Sequence, residues 1–370
     1  MIVLNVKLDG IYGFEDFEFD LTYPRKIVDS LIEDEFLEGR ERFRYKRAVV
    51  LMGANATGKT SLGRALLRIF RFMETGVTEP LLEMASASES ETASFCIDFV
   101  NEGYVLHRLS GEIDINQENV EVRYATASIE KMDSYEKCTR KLEDHTADLN
   151  GNPNSLKKLI GPIHYRFAYP EIEPALGFSG VNKKELLKTL RAVIGTLDPT
   201  LTDISISRDL KDSFIIRRKG AEIIIQDGKL LNREALSSGT AEGIDVAIFL
   251  ASMLGGEKAF YYCDEHFSYI QSDIEKRIFG LMLDRTAPGS QLIFTTHNTD
   301  MLDLNLPKHA YVFLRKKQDE DGEYRVTAVS ASEILKRNTD SVRCAVENDV
   351  FDSLPDDSLL DELEMGWADE

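Results

Sequence analysis

Residues 53–60, GANATGKT, have the composition and spacing of a loop that binds phosphate, G-x-x-x-x-G-K-[ST]. The apolar run AVVLM at 48–52 precedes the loop, and apolar residues at helical spacing follow over 60–73, which predicts a strand, a loop and a helix. Glycines let the backbone approach a phosphate closely, and the amide groups of a helix N-terminus attract an anion. The residues predicted to contact a nucleotide here are Gly53, Asn55, Ala56, Thr57, Gly58, Lys59, Thr60 and Ser61.

A second apolar run, AFYYC at 259–263, ends in the acidic pair Asp264 and Glu265. The first carboxylate after such a strand can hold Mg²⁺, and the second can polarise an attacking water. Lys59 would reach the β- and γ-phosphates of ATP, and the Thr60 hydroxyl would ligate the metal. We therefore predict ATP and Mg²⁺ as cofactors. The predicted metal ligands are Thr60 and Asp264, and the predicted catalytic residues include Lys59 and Glu265.

Two more segments have residue types that suit anion binding. The segment LSSGT at 236–240 opens a predicted helix, so Ser237, Ser238 and Gly239 are predicted to form a second anion cradle. His297 follows the apolar strand LIFTT, at the strand end where open α/β sheets place their ligands. We predict it as a third catalytic residue that senses the γ-phosphate. Each segment also has a simpler interpretation when it is taken alone. The LSSGT segment could be an ordinary helix cap, and His297 could be a histidine without a special role.

The predicted elements fall into four parts. Residues 1–22 and 92–130 alternate apolar and polar side chains, which is typical of antiparallel strands, whereas 28–46 is charged and predicted as loop or short helix. Residues from 236 onward alternate helices with apolar strands, which indicates a parallel sheet covered by helices. The predicted parts are an N-terminal lobe with the phosphate loop and an antiparallel β subdomain (1–130), a mostly helical insertion ending in a hairpin (131–235), a C-terminal lobe (236–348) and an acidic tail (349–370).

The composition excludes several classes of protein. The 370 residues are 43% hydrophobic and 29% charged, which is typical of a globular chain. No run approaches the roughly 18 apolar residues of a spanning helix, and the N-terminus lacks the basic region of a signal peptide. We therefore predict a cytoplasmic protein without a membrane partner. The four cysteines, Cys96, Cys138, Cys263 and Cys344, lack metal-ligand spacing, so we predict reduced thiols and no zinc site.

Charge is distributed unevenly, although Asp and Glu outnumber Lys and Arg by 64 to 44 overall. The basic stretch Arg40, Arg42, Arg44, Lys46 and Arg47 could face DNA or an acidic trigger protein, or could be an ordinary solvated face. The tail at 349–370 carries nine acidic residues and no Lys or Arg. Its segment SLLDELEMGW could form a short helix that docks on a partner, or could be a frayed end.

The order of phosphate loop, serine-rich cradle, Asp-Glu strand and histidine resembles the ABC-type ATPase heads, whose signature LSGGQ corresponds to LSSGT here. The resemblance implies an α/β P-loop NTPase head that sandwiches ATP with a second copy. Lys59, Asp264, Glu265 and His297 would come from one head, and Ser238 and Gly239 from the other. Ser268 would lie in the dimer-facing loop. Thr240 replaces the signature glutamine, and the family's glutamine loop has only two candidates here, Gln117 and Gln226.

A closer resemblance is to the stand-alone ABC-like ATPases of bacterial anti-phage defence and of the overcoming-lysogeny-defect type. It extends over nearly the whole chain and is weakest over 74–200. The segments that carry it are IVLNVKLDGIYGFEDFEFDL, GANATGKTSL, LSSGTAEGIDVA, YYCDEHFSYIQSDIE, TTHNTDMLD, YVFLRK and ASEILKRNTDSVRCAVENDVF. No strand-borne Glu with a following Asp-x-Asp, the mark of a Toprim nuclease, follows position 300.

This closer resemblance implies the ATPase subunit of a two-gene anti-phage system, most specifically the PARIS type. Such a subunit would form homo-oligomers, sense a phage trigger protein and control a separate Toprim-type nuclease or toxin effector. Two alternatives stay open. An SMC-like or RecF-like DNA-repair ATPase would clamp duplex DNA, and a transporter energiser would need a membrane partner. The long interval between the phosphate loop and the signature disfavours the transporter.

Overall fold

The computed structural model describes residues 1–27, 30–85, 91–149, 155–169, 181–201, 203–218, 221–226, 229–231, 233–256, 258–318, 322–337, 339–355 and 360. The strands are β1 (Ile2–Asp9), β2 (Phe17–Asp20), β3 (Phe36–Leu37), β4 (Arg40–Arg44), β5 (Ala48–Met52), β6 (Thr92–Val100), β7 (Val105–Asp114), β8 (Asn119–Ser128), β9 (Glu143–Asp144), β10 (Tyr165–Ala168), β11 (Asp203–Ile206), β12 (Ser213–Arg218), β13 (Ala221–Gln226), β14 (Lys229–Leu230), β15 (Phe260–Asp264), β16 (Gln291–Thr295), β17 (Tyr311–Gln318) and β18 (Tyr324–Ser330).

The helices include short and long segments. They are α1 (Lys59–Thr75), α2 (Glu79–Ala85), α3 (Tyr135–Thr139), α4 (Leu156–Ile160), α5 (Lys183–Leu197), α6 (Ser238–Leu254), α7 (Ser272–Arg285), α8 (Ala331–Ile334) and α9 (Val342–Glu347). Short 3-10 helices cover Thr146–Leu149, Arg233–Ala235, Thr299–Asp303 and Lys308–Ala310. Among the described helices, none combines the length and the apolar character of a membrane-spanning segment.

A six-stranded sheet forms the centre of the fold, in the order β10-β15-β16-β5-β17-β18. The first five strands are parallel and β18 pairs antiparallel with β17. Every residue of β5 and β15 is buried, as expected for apolar strands covered on both faces. The predicted parallel sheet with helices on its faces is therefore confirmed.

Side chains of β5 alternate between two hydrophobic cores. Val49 and Leu51 pack with α1 and with the N-terminal strands, whereas Val50 and Met52 pack with α5, α6 and α7. This alternation follows from the two-residue period of a strand. The central sheet thereby holds α1 on one side and the helix that begins with the LSSGT segment on the other.

A second six-stranded sheet, β2-β1-β6-β7-β8-β9, is antiparallel throughout. It confirms the strands predicted over 1–22 and 92–130. The prediction of loop or short helix over 28–46 is wrong for 36–44, because β3 and β4 form a hairpin there, whereas 30–35 are loop as predicted. Phe43 of this hairpin is buried with Ile2 and Leu106. Leu37 is buried in the same core, so the charged neighbours of these two apolar side chains obscured the pattern of a strand pair. Val28 and Asp29 lie outside the described residues.

The basic stretch turns out to be largely engaged within the chain. Arg40 donates to the carbonyl of Ile129 at 3.0 Å, and its guanidinium lies 3.8 Å from the centroid of the Tyr104 ring. Lys46 and Arg47 are buried; Lys46 donates to the Asp20 carbonyl at 2.8 Å and Arg47 to the Glu33 carbonyl at 2.7 Å. These contacts favour a structural role over a nucleic-acid surface. Arg44 likewise donates to the Pro24 carbonyl.

The middle of the chain contains more strand than the mostly helical prediction for 131–235 indicates. β10 pairs in parallel with β15 at the edge of the central sheet, next to the strand that carries the acidic pair. The predicted hairpin is present as β12 and β13, flanked by β11 and β14, and its apolar side chains pack in the same core as α5. The predicted break at 150–154 lies outside the described residues. The four-part division of the chain stays a prediction.

The chain beyond α9 packs back onto the central sheet. Phe351 is buried and stacks on Phe313 of β17, with ring centroids 4.1 Å apart. Asp352 pairs with Arg315 at 3.3 Å and with Lys317 at 2.5 Å. The predicted docking helix of the acidic tail lies mostly outside the described residues, which end at 355 and resume only at position 360.

Candidate functional site

The phosphate loop runs between the end of β5 and the start of α1. Gly53, Ala56 and Gly58 have positive φ angles of 152°, 61° and 97°. A Cβ atom on Gly53 would lie 2.4 Å from the Leu314 carbonyl oxygen, and one on Gly58 would lie 2.8 Å from the Phe14 ring. Both positions therefore require glycine, and the loop is fixed from two sides by β17 and by the turn after β1.

The Lys59 ammonium lies inside this loop. Its Nζ donates to the carbonyl oxygens of Gly53 at 2.8 Å and Ala54 at 3.1 Å, and it lies 3.1 Å from Glu265 Oε1. Only 4% of the Lys59 side chain is exposed. A buried ammonium is stabilised by an anion, and the carboxylate of Glu265 supplies one here. The phosphates of a nucleotide would compete with that carboxylate for the same ammonium.

Asp264 connects the loop with the neighbouring strand. Thr60 Oγ1 donates to Asp264 Oδ2 and Thr295 Oγ1 donates to Asp264 Oδ1, both at 2.7 Å. Burial raises the pKa of the Asp264 carboxyl above its usual value. A divalent cation would offset that cost of burial, and a carboxylate with an adjacent hydroxyl is a hard-oxygen donor set that suits Mg²⁺. The residues present therefore fit the predicted metal.

Glu265 occupies a strained backbone position directly after β15. Its φ of 43° lies in the left-handed region, which costs a side-chain-bearing residue about 1 kcal/mol. Its amide lies 3.1 Å from Thr295 Oγ1 and 3.3 Å from the Thr295 carbonyl. Thr295 therefore fixes the backbone of Glu265, while the side chain, about a quarter exposed, points to Lys59. A carboxylate held there can accept a proton from a water beside the phosphates.

His297 is exposed at the end of β16 and contributes to two cavities. One of about 220 Å³ is lined by His297, Glu265 and Ser268, among others. The other, of about 510 Å³, is lined by His297 together with Gly53 and Asn55. The structure therefore brings His297 next to both the loop and Glu265, as the order of motifs predicts. Its predicted role as a sensor of the γ-phosphate stays a prediction.

The LSSGT segment begins α6, which packs on the opposite face of the central sheet from α1. Ser237 caps the helix by accepting from the Thr240 amide at 3.3 Å, and both Ser237 and Ser238 are exposed. A Cβ on Gly239 would lie 2.5 Å from the carbonyl oxygen of Tyr269. None of these serines or Gly239 lines the three cavities beside the phosphate loop. Within one chain, Ser237, Ser238 and Gly239 therefore share none of these three cavities with the phosphate loop.

Several residues beside the loop were missed by sequence reasoning. The Tyr262 hydroxyl donates to the carbonyl of Lys59 at 2.6 Å, which fixes the first turn of α1 on β15. A third cavity, of about 350 Å³, has Tyr12, Lys316 and Val326 in its wall together with residues of the loop. Lys316 stands in the YVFLRK segment, but nothing in that run marks it as different from its neighbours.

The two glutamine-loop candidates lie away from the site. Gln117 is in the turn between β7 and β8, and Gln226 ends β13. Neither contributes to the three cavities beside the phosphate loop. All four cysteines are free, with Cys138 and Cys263 buried. The described residues contain no cluster of three His, Cys, Asp or Glu side chains that could hold a metal.

Comparison with known families identifies the chain. Residues 48–303 match the family described as "AAA domain, putative AbiEii toxin, Type IV TA system". The chain belongs to this family. The match begins at the first residue of β5 and ends after His297, so the AbiEii-type domain includes every predicted site residue. A direct comparison with curated proteins finds no match.

The fold of this AbiEii-type ATPase is similar to that of SMC heads. A crystal structure titled as the SMC head bound to the C-winged helix domain of ScpA matches with a TM-score of 0.52 and 13% identity, over 90% of this chain and 100% of that one. A Pyrococcus furiosus Smc head with an extended coiled coil, bound to the C-terminal domain of ScpA, matches with a TM-score of 0.52 and 12% identity. That match covers 90% of this chain and 98% of the other. These identities establish the fold alone. The predicted ABC-type P-loop ATPase head is confirmed.

Proposed function

We propose that this AbiEii-type chain is an ATP-hydrolysing switch, the ATPase subunit of an anti-phage defence complex. The observation that carries the ATPase proposal is the contact of Lys59 with Glu265 beside an Asp264 that already holds the Thr60 hydroxyl. A phosphate-binding cation, a metal-binding pair and a proton acceptor therefore converge at one loop. The ATPase domain of the family implies nucleotide binding, and hydrolysis with Mg²⁺ is our proposal for this chain.

The proposed reaction is in-line attack of water on the γ-phosphorus of ATP. The water oxygen bonds to phosphorus while the bond to the β–γ bridging oxygen breaks, and Glu265 accepts one water proton, giving ADP and phosphate. Lys59 leaves its contact with Glu265 and binds the phosphate oxygens, which frees the carboxylate to act as base. Asp264 and Thr60 would hold Mg²⁺, which when bound neutralises charge on the phosphates.

The separation of the LSSGT segment from the phosphate loop supports a switch rather than a metabolic enzyme. Ser237 and Ser238 are exposed at the start of α6 and line none of the loop cavities. We propose that ATP draws two copies together, so that Ser238 and Gly239 of one meet the loop of the other. Hydrolysis then separates them. The cytoplasmic trigger protein and the nuclease or toxin effector, as in PARIS-type systems, are part of this proposal.

The defence context rests on the family and on the resemblance described above. The family description names an AbiEii toxin and a Type IV TA system. The SMC-like alternative, a clamp on duplex DNA, shares the fold. The basic stretch, however, uses Arg40, Lys46 and Arg47 for contacts within the chain, which leaves less charge for phosphate contacts.

Two substitutions test the ATPase proposal. Lys59→Ala removes the cation inside the loop, and we expect it to abolish binding of Mg²⁺-ATP. Glu265→Gln keeps the shape of the base without its charge, and we expect wild-type affinity with turnover reduced about 10³-fold. Equilibrium binding of a fluorescent ATP analogue and release of phosphate measure the two effects. If the Glu265→Gln variant hydrolysed ATP at the wild-type rate, Glu265 would not be the base.

Purification of the Glu265→Gln variant from its native host with Mg²⁺-ATP tests the defence role, with Lys59→Ala as the matched control. A stoichiometric nuclease-like protein that is present with the first variant and absent with the second supports a defence switch. DNA without a protein partner supports the clamp instead. Steep salt dependence of DNA-stimulated hydrolysis would then confirm phosphate contacts.

A further inference from the structure

Lys316 of β17 differs from the two cations that flank it in the chain. Arg315 and Lys317 both pair with Asp352, at 3.3 and 2.5 Å. Since neighbouring residues of a strand point to opposite faces, Lys316 lies on the other face of β17 from Arg315 and Lys317, and it lines the 510 Å³ cavity together with Asp352. The Lys316 ammonium lies 5.6 Å from the centroid of the Tyr324 ring, across the β17–β18 hairpin.

Lys316 contributes to the cavities on both sides of the phosphate loop. It lines the cavity of about 510 Å³ that contains Gly53 and the cavity of about 350 Å³ that contains Lys59. Asn55, at the tip of the loop, lines both cavities as well. The Lys316 side chain therefore stands beside the tip of the loop.

The lining of the 350 Å³ cavity combines three parts of the chain. The first turn of α1 contributes Lys59, the β17–β18 hairpin contributes the directly paired residues Lys316 and Val326, and the turn at 12–14 completes the lining. An anion that occupies this cavity and binds Lys59 therefore shares the cavity with Lys316.

Charge in this cavity supports the same conclusion. Among the described residues that line it, Lys59 and Lys316 are the cations and Glu265 is the carboxylate. Lys59 is shared with Glu265 and two carbonyls. A triphosphate spreads its negative charge over three groups, so a second ammonium in the same cavity adds to the attraction from Lys59 and from the loop amides.

We propose that Lys316 is a second nucleotide-binding cation, which contacts the phosphate chain of ATP on the side away from Lys59. This inference rests on the proposed function and adds a residue to the same site. A charge-assisted hydrogen bond contributes about 1.5–3 kcal/mol. Each 1.4 kcal/mol is tenfold in affinity, so loss of the ammonium weakens binding by roughly tenfold or more.

The experiment compares Lys316→Gln with Lys317→Gln and Lys316→Arg in the full chain. Lys317 is the matched control because it is an exposed cation on the same strand that lines none of the cavities beside the loop. The probe is N-methylanthraniloyl-ATP with Mg²⁺, titrated at low and high salt. We expect Kd to rise about tenfold for Lys316→Gln, with KM rising in step, and to stay within twofold for the other two. High salt should reduce the difference in Kd between Lys316→Gln and the wild type, because it screens the charge of the ammonium.

The outcomes distinguish this inference from the proposed function. If wild-type protein does not bind the probe, or Lys59→Ala binds it equally well, the proposed function itself fails. If those controls behave as expected and Lys316→Gln binds as tightly as Lys317→Gln, Lys316 is a solvated lysine and the inference is overturned. A loss confined to kcat, with unchanged Kd, would overturn it as well.

Discussion

At the scale of single residues, burial changes the charge that ionisable groups carry. Burial lowers the pKa of His107 and of His266 to about 4, so both rings are neutral at pH 7. His107 stacks on Phe99 with centroids 5.0 Å apart, and its Nδ1 lies 2.7 Å from the Tyr124 hydroxyl. These contacts place the ring in the core of the antiparallel sheet, where burial favours the neutral imidazole.

This burial of His107 predicts a loss of stability in mild acid. Because the folded pKa is about 4 and the unfolded value about 6.5, the unfolded chain binds more protons between these values. The stability that neutral His107 contributes is fully present above pH 6.5 and is lost as the pH falls towards 4. Between pH 7 and 5 it amounts to about 2 kcal/mol, at roughly 1.4 kcal/mol per pH unit. Urea unfolding at pH 7 and pH 5 measures this effect. Between these pH values, the free energy of unfolding should fall by about 2 kcal/mol less for His107→Phe than for the wild type.

The control for this measurement is Tyr124→Phe, which removes the hydroxyl partner and keeps the imidazole. It should lose as much stability between pH 7 and 5 as the wild type does. If His107→Phe shows the same pH dependence as the wild type, the neutral histidine is not the cause.

At the scale of elements, helix α1 is held against β15 by a close contact at Gly63. A Cβ there would lie 2.5 Å from the Tyr262 ring and 2.8 Å from the Tyr169 hydroxyl. The same Tyr262 donates to the carbonyl of Lys59. Close packing of α1 against β15 therefore also fixes the position of Lys59.

Two glycine-to-alanine substitutions test this close packing of α1. Gly63→Ala should destabilise the protein by about 1–3 kcal/mol through overpacking, and should weaken nucleotide binding. Gly280→Ala, in α7, is the matched control because a Cβ there meets nothing within 4 Å. It should stabilise the protein by about 0.5–1 kcal/mol. Thermal unfolding measures both. Equal effects of the two substitutions would show that the contact at Gly63 does not constrain α1.

The elements that sequence could predict are those with long, local patterns. The strand, loop and helix around Lys59 follow from one motif and one helical period. By contrast, β10 has four residues and pairs with β15, about 95 residues later, and β3–β4 has only two buried apolar side chains among its charges. Lys316 could not be singled out because its position depends on how a hairpin packs beside a distant loop. Short elements defined by long-range partners carry little local signal.

At the scale of the whole molecule, the helices that begin at the two predicted anion-binding segments pack on opposite faces of the central sheet. Lys59 begins α1 on one face, and Ser238 begins α6 on the other. In the function proposed above, a complete site combines the loop of one copy with the helix start of another. This arrangement has a direct genetic test.

Mixing two inactive variants should restore activity. Lys59→Ala lacks the loop cation, and Ser238→Arg places a bulky cation at the exposed helix start. Each alone should hydrolyse ATP at less than about 1% of the wild-type rate, a loss of roughly 3 kcal/mol of transition-state stabilisation. In a mixed dimer, the loop of the Ser238→Arg copy meets the intact Ser238 of its partner, which gives one working site. Phosphate release from an equimolar mixture measures the rescue, and its absence would contradict a shared site.

The central position of β5 has a consequence for synthesis of the chain. This strand forms hydrogen-bonded pairs with β16 and β17, and Gly53 packs against the Leu314 carbonyl. A ribosome adds about 5–20 residues per second, so the nascent phosphate loop waits roughly ten to fifty seconds for these neighbours. During that interval an apolar strand and an arginine-bearing helix are exposed to chaperones and proteases. The capacity to bind ATP therefore emerges late, only after translation has passed residue 314.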